Sequence, residues 1–449
     1  MARRSHREMM ASRKDDPSGW FAWALENVWL LRLMDTVRQS FLFGPLFMAL
    51  AGIFVAALML WLDGFFFTSL AVLFPAPSVD TTRAVSSTLA GSMMAVVGTT
   101  FTVTMAVLTL ASGQFGPRLL RQFLSDGVAQ FTLGSFMATF TYHLSALAMA
   151  GLGEEGDGPR LTFGVGLLVA FMALVALIVF IQHVARGVQV DTLVDGIGTD
   201  FNERVSAIRG REHMDPPDLA SVPHTVAGRA PGYLQAVDLG ALVKVAERHE
   251  LYVVVHRRPG THLLSHESVM LVNRELDDEV AEELADCVAI GPYRSITQDL
   301  EFALDQLAEI AVRALSPGVN DPFTAERCID RLTECLTLFI QTAPIPTAVG
   351  HGDSAVRVWM RWPTIDELLD SAMNKLRQAA ARDLSASLRL IDSCRRLSVV
   401  ATDTRTRQLC LAHAERVFRS ADGDHLERLD REELVHRMDR CRTVAKEAV

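Results

Sequence analysis

Hydroxyl side chains set at regular intervals in an apolar run are the residues of this chain whose spacing could do chemistry. From Gly91 to Gly116 it reads GSMMAVVGTTFTVTMAVLTLASGQFG. A helix turns by about 100° per residue, so positions alternately three and four apart share a face. Ser92, Ala95, Thr99, Thr102, Ala106, Thr109 and Gly113 form such a series, and every member is small. Two readings fit. In lipid, small residues let helix backbones approach closely, and hydroxyls bond across or back to their own helix. The same stripe could instead face water, its hydroxyls replacing the hydration of a passing ion. Both hold at once if the helix packs around an axis shared by several copies.

Three other groups of residues invite a role. A later apolar run holds Thr132, Ser135, Thr139, Thr141, Tyr142, His143 and Ser145. An ionisable side chain at membrane depth is a functional candidate by default, which singles out His143; a hydrogen-bonded histidine near the outer interface is the plainer reading. Arg118 and Arg121, after the helix-ending Gly113, Gly116 and Pro117, are placed to anchor a cytoplasmic surface or to attract anions to an inner mouth. In ALSPGVNDPFTA, Ser316, Pro317, Gly318, Asn320, Asp321 and Pro322 make a turn between two helices. Asp321 is there to cap the second helix and Pro322 to open it.

Elements long enough to carry these residues follow from hydropathy. Of the 449 residues, 49% are hydrophobic, concentrated before about residue 185. Runs near 41–62, 89–111, 129–152 and 161–183 can each cross roughly 30 Å of hydrocarbon, and predict four membrane spans. A shorter apolar piece, 65–74, reads as interfacial or re-entrant, and Trp20, Trp23 and Trp29 with flanking arginines as an interfacial helix within residues 1–40. The bias of Arg and Lys toward one side places both termini in the cytoplasm. No Asp, Glu, Lys or Arg falls inside the last three runs, which weakens a proton-pump reading.

The remainder reads as soluble. A connecting helix and linker occupy 186–230, a small α+β unit 231–290 and a helical domain 291–449. Within the α+β unit, strands are expected near 233–237, 251–256 and 268–272, with a helix over 239–248. His249, His256, His262 and His266 gather there, but strand and turn do not give them a metal-ligand spacing, and no metal or other cofactor is expected. All six cysteines fall in this half without a CxxC pair, as in a reduced cytoplasmic domain. The net charge of -10 argues against nucleic acid. Neither a nucleophile elbow nor a phosphate loop occurs, so an enzyme is not expected.

The ALSPGVNDPFTA element, with ASGQFGPRLLRQFL, GSFMATFTYHL, HVARGVQVDTLV and GYLQAVD, resembles a bacterial family of integral membrane proteins catalogued as domain of unknown function 2254. The resemblance covers nearly the whole chain. It implies an inner-membrane protein with a four-span N-terminal part and a soluble C-terminal part, and brings no activity with it. The expectation is therefore a mainly α protein: a four-span helical domain, a small α+β unit and a cytoplasmic α-helical domain. Its function would be that of a homo-oligomeric ion channel or passive transporter, with the bilayer, further copies and inorganic ions as partners. The competing expectation is a membrane-anchored sensor or scaffold whose cytoplasmic half binds a partner.

Overall fold

The structure, a computed structural model, describes residues 43–65, 77–115, 127–150, 159–187, 189–208, 218, 222–343, 345, 347–349, 357–423 and 426–447. The interfacial helix expected before residue 41, nearly all of the apolar piece 65–74, and Arg118 and Arg121 lie outside these residues. The chain forms two compact units, over 35–192 and 193–449, and among the described residues it is mainly helical.

The first unit holds helices α1 (Phe43–Phe65), α2 (Val79–Phe115), α3 (Gly127–Ala150) and α4 (Arg160–Gly187). Three of them, α1, α2 and α4, are long and apolar enough to cross a membrane. The expected third span, α3, is as long but more polar, so four spans do not follow from length and hydropathy alone. Packing explains its polarity: α3 contacts α1, α2 and α4, and its Thr132, Tyr142, Thr139 and His143 are buried among them. A helix sheltered by its neighbours can carry groups that lipid would penalise. Close approach is built in where α1 meets α3. A Cβ on Gly52 would come within 2.3 Å of the Ala138 carbonyl oxygen, and Thr141 Oγ1 donates to the Ala49 carbonyl at 2.8 Å. Small residues and an interhelical hydrogen bond replace the hydrophobic drive that lipid cannot supply.

The second unit begins with α5 (Val190–Ile208), continuous with it from Leu193. Leu193, Val194, Ile197, Phe201, Val205 and Ile208 recur at helical spacing and are buried. A five-stranded sheet follows, ordered β1 (His224–Ala227), β5 (Ser268–Val272), β3 (Val253–Val255), β8 (Val358–Met360), β7 (Ala348–Val349). A smaller sheet pairs β4 (His262–Leu263), β2 (Gly232–Val237) and β6 (Val288–Gly291). Helices α6 (Leu239–Arg248) and α7 (Asp278–Asp286) accompany them. β1 lies where a linker is expected, and β8 reaches in from beyond residue 290 to run parallel to β3, Val254 opposite Trp359.

The helical part consists of α8 (Leu300–Ala314), α9 (Pro322–Thr342), α10 (Ile365–Ala380), α11 (Leu384–Val400), α12 (Thr404–Ala421) and α13 (Arg428–Glu447). Side-chain caps start five of these six helices: Asp299, Asp321, Thr364, Asp383 and Asp403 each accept a backbone N–H of the first turn. Charged groups tie the sheets to the helices. Arg294 bridges Asp299 and Asp305, both at 2.7 Å, while Arg258 reaches Glu301 at 2.6 Å and Glu367 at 2.5 Å. Gly260 is left-handed (φ 91°) and presses on Asp299, where any Cβ would lie 2.1 Å from Oδ2. The Pro259-Gly260 turn therefore serves packing.

Candidate functional site

Helix α2 has two unlike sides. Thr82, Ser86, Ala90, Thr100 and Leu108 are buried on one of them, where α2 packs on α3. At about 100° per residue, the predicted stripe falls on the opposite side. Ser92, Ala95, Thr99, Thr102, Ala106 and Thr109 are all exposed within the unit, and Gly113 follows in the last turns of the same helix. Larger exposed side chains border the strip, Met94 and Phe101 on one flank and Val103 and Leu110 on the other. The strip is thus a shallow furrow of small residues between bulky banks.

Its hydroxyls are already engaged as donors. Ser92 Oγ donates to the Leu89 carbonyl at 3.0 Å, Thr99 Oγ1 to Ala95 at 3.1 Å, Thr102 Oγ1 to Gly98 at 2.9 Å and Thr109 Oγ1 to Met105 at 2.8 Å. Back-bonding satisfies the proton within the helix, so the strip tolerates an apolar environment. A hydroxyl oxygen that has spent its donor still offers lone pairs as an acceptor.

His143 and a set of residues near the α1 end and α4 start form a second feature. His143 is 3% exposed, and neither ring nitrogen makes a hydrogen bond of normal geometry among the described residues. Its ring meets Tyr142 edge-on, with centroids 5.4 Å apart. Gly166 of α4 makes room, since a Cβ there would lie 2.9 Å from His143 Cε1. Tyr142 Oη donates to the Thr162 carbonyl at 2.7 Å. Asp63, the acid closing α1, accepts Leu161 N at 2.8 Å, Thr162 N at 2.9 Å and Thr162 Oγ1 at 2.8 Å. Asp63 therefore caps α4 from a different helix, a role that sequence reading misses because the partners lie about a hundred residues away. An acid ending an apolar run, followed by Gly64, is the local signal.

The turn motif of the second unit is well ordered by its own hydrogen bonds. Val319 N and Asn320 N donate to the Ser316 carbonyl at 3.0 and 2.9 Å, and Asp321 N closes the loop onto the Ala314 carbonyl at 2.8 Å. Ser316 Oγ donates to the Arg313 carbonyl at 2.6 Å. Asp321 accepts Thr324 N at 3.1 Å and Thr324 Oγ1 at 2.6 Å, and Pro322 opens α9. The left-handed residue is Asn320 (φ 49°), whereas Gly318 keeps negative φ with open space around its Cα.

The histidines of the α+β part are dispersed. His249 Nε2 approaches Glu283 at 3.4 Å, His256 Nε2 lies 3.2 Å from Ser268 Oγ, and His262 packs edge-on against Tyr233. Among the described residues no three His, Cys, Asp or Glu are grouped to hold a metal ion. All six cysteines are buried as free thiols. Burial pushes Cys287, Cys335 and Cys410 up to about 12 and Cys441 up to about 11, which makes them poor nucleophiles.

Comparison with known proteins agrees with the apolar helices. The family described as "Predicted membrane protein (DUF2254)" matches residues 38–396. Uncharacterized proteins of Mycobacterium tuberculosis (Rv1290c) and Mycobacterium bovis (Mb1321c) are each 27% identical over 331 residues. The match covers 69% of this chain and 63% of each relative, so the chain spans less than two thirds of their length. No solved structure matches this chain.

Proposed function

We propose that this chain, which belongs to the DUF2254 family of predicted membrane proteins, is a homo-oligomeric channel or passive transporter. The observation that carries the reading is the furrow on α2. Six small residues, four of them hydroxyl-bearing, lie exposed on the side opposite the face buried on α3. A helix face meant only for lipid gains from bulky apolar side chains, as on the banks of this strip, and has no use for aligned threonines. Copies arranged around an axis would turn the furrows toward one another. Ser92, Thr99, Thr102 and Thr109 would then line a path, with Ala95 and Ala106 leaving it open and Gly113 near one end.

Chemistry favours cations or water over anions on that path. With the hydroxyl protons turned onto backbone carbonyls, the oxygens face outward as acceptors. In this reading the protein sits in the bacterial inner membrane with both termini cytoplasmic, Arg118 and Arg121 anchor the cytoplasmic surface, and the C-terminal half assembles and gates the pore. No catalytic group is assigned.

The test is flux through purified protein in liposomes with monovalent cations, anions and protons, beside Thr102→Leu. The leucine is expected to abolish cation flux while leaving expression and oligomer size unchanged. Wild-type vesicles that pass no ion, with intact oligomers in the bilayer, would sink the reading. The furrow would then be a packing seam, and the membrane half an anchor for a sensor or scaffold.

A further inference from the structure

The turn between α8 and α9 presents two apolar side chains to solvent that the unit's own packing does not use. Val319, 55% exposed, sits on a loop tightened by three backbone hydrogen bonds, and Phe323, 81% exposed, in the first turn of the helix that follows. Exposed apolar residues held on a rigid tip mark a contact surface when the structure shows what they meet.

Chain connectivity supplies that argument. Helix α4 is apolar enough to cross a membrane and ends at Gly187, and α5 begins at Val190. Asp195 of α5 pairs with Arg327 of α9 at 2.7 Å, and Arg331, one turn on, reaches Thr199 Oγ1 at 3.0 Å. Cys335 lies further along α9 and meets the Gly198 carbonyl. The two helices therefore run side by side in the same direction. Going back from Arg327 to Phe323 moves one turn toward the start of α5, where the chain has just left α4. Only seven residues lie between Gly187 and Asp195, so a short stretch of chain joins the end of α4 to the part of α5 that α9 pairs with.

The tip is also built to leave water. From Ala314 to Asn320 no residue is charged. The Asp321 carboxylate is turned onto Thr324 by two hydrogen bonds. The N–H groups of Leu315, Ser316, Val319, Asn320 and Asp321 are all satisfied within the loop and α8, and Pro317 has none to satisfy. Polar backbone left unpaired is what lipid penalises, and these five donors are paired.

We propose that the Ser-Pro-Gly-Val-Asn-Asp-Pro-Phe turn is a membrane-surface anchor, Val319 and Phe323 entering the interfacial layer of the bilayer that α4 leaves. The occupant of the patch is lipid. Two side chains bind a bilayer weakly by themselves, but a covalent tether of this length keeps them at high effective concentration beside it. The inference needs α4 in a membrane and is independent of whether the protein conducts.

Spin labels at single introduced cysteines test it in the full-length protein reconstituted into phosphatidylcholine–phosphatidylglycerol vesicles. The six native cysteines are buried and stay unlabelled. Phe323→Cys reports the turn. Val399→Cys is the reference, 63% exposed at the far end of α11, which runs in the same direction as α9 through the Arg389–Glu326 and Thr333–Ser393 contacts. The ratio of collisions with oxygen to collisions with an aqueous nickel chelate is expected to be severalfold higher at 323 than at 399. Equal ratios at the two sites would place the turn in water and overturn the proposal. A label at 323 shielded from both agents would mean that protein covers the turn, and would overturn it as well.

Discussion

Asp63 stands where an apolar helix ends, and its three accepted hydrogen bonds join α1 to the first turn of α4. A charge-assisted cap at a helix N-terminus is worth more than a neutral one. Asp63→Ala is expected to cost about 2 kcal/mol, read as a lower melting temperature in size-exclusion profiles of heated, detergent-solubilised protein. An unchanged profile would remove Asp63 from the fold's supports. Asn320 invites a test of the turn at the same scale. Its left-handed backbone is open to glycine and closed to β-branched residues. Asn320→Gly should melt within a degree or two of wild type, while Asn320→Val should lose about 1–2 kcal/mol. Equal melting of the two variants would show that the turn relaxes to another conformation.

Among elements, α2 and α3 divide the work of the membrane unit. α3 sits against α1, α2 and α4 and buries its polar groups, and it alone of the four lacks a stretch apolar enough to cross a membrane by composition. α2 offers one small-residue side to α3 and another to whatever lies beyond the unit. Leucine at Thr100, buried on α3, should therefore unfold or loosen the bundle, whereas leucine at exposed Thr102 should leave its melting unchanged. A melting curve of Thr102→Leu as low as that of Thr100→Leu would contradict this division of faces. Glycines follow the same logic. A Cβ at Gly52 meets a backbone oxygen that cannot yield, while one at Gly134 meets the flexible Met48 thioether at 2.5 Å. Gly52→Ala is accordingly expected to destabilise more than Gly134→Ala, by about 1–3 kcal/mol in the overpacking range.

At the scale of the molecule, the second unit carries a pH dependence. Burial lowers His256, and the Arg257 and Arg361 charges lower it further. Burial also lowers His413, where Arg416 and Arg377 act with it and Asp370 only partly opposes it. Each histidine therefore takes up its proton more readily in the unfolded chain. Stability is full above the unfolded value of about 6.5 and is lost as pH falls through and below it. Asp305 adds to the loss at lower pH: burial opposes its ionisation, but Lys375, Arg294 and Ser371 together hold its carboxyl below the usual range. Melting temperature should decline between about pH 7 and pH 5, and His256→Gln with His413→Gln should flatten that slope. A double variant with the wild-type slope would assign the decline to other groups.

Local patterns in the chain were sufficient for much of this. Helix α6 over Leu239–Arg248 and strand β5 over Ser268–Val272 fall where periodicity and turn residues place them, because their hydrophobic faces and caps are written within a few residues. The hydroxyl stripe was legible for the same reason, since side-chain spacing on one helix needs no other element. Distance in sequence hid the rest. Whether the stripe is exposed depends on which side of α2 meets α3. Asp63 becomes a cap only when α1 and α4 are adjacent, and β1 and β8 are strands because partners far along the chain accept their hydrogen bonds. Phe323 lies on the side of α9 away from Ala325, Cys328, Ile329, Leu332 and Leu336, so helical spacing already turns it from the core. How bare it is left is decided only by the assembled surface, because burial depends on which elements pack beside a side chain and not on the local sequence.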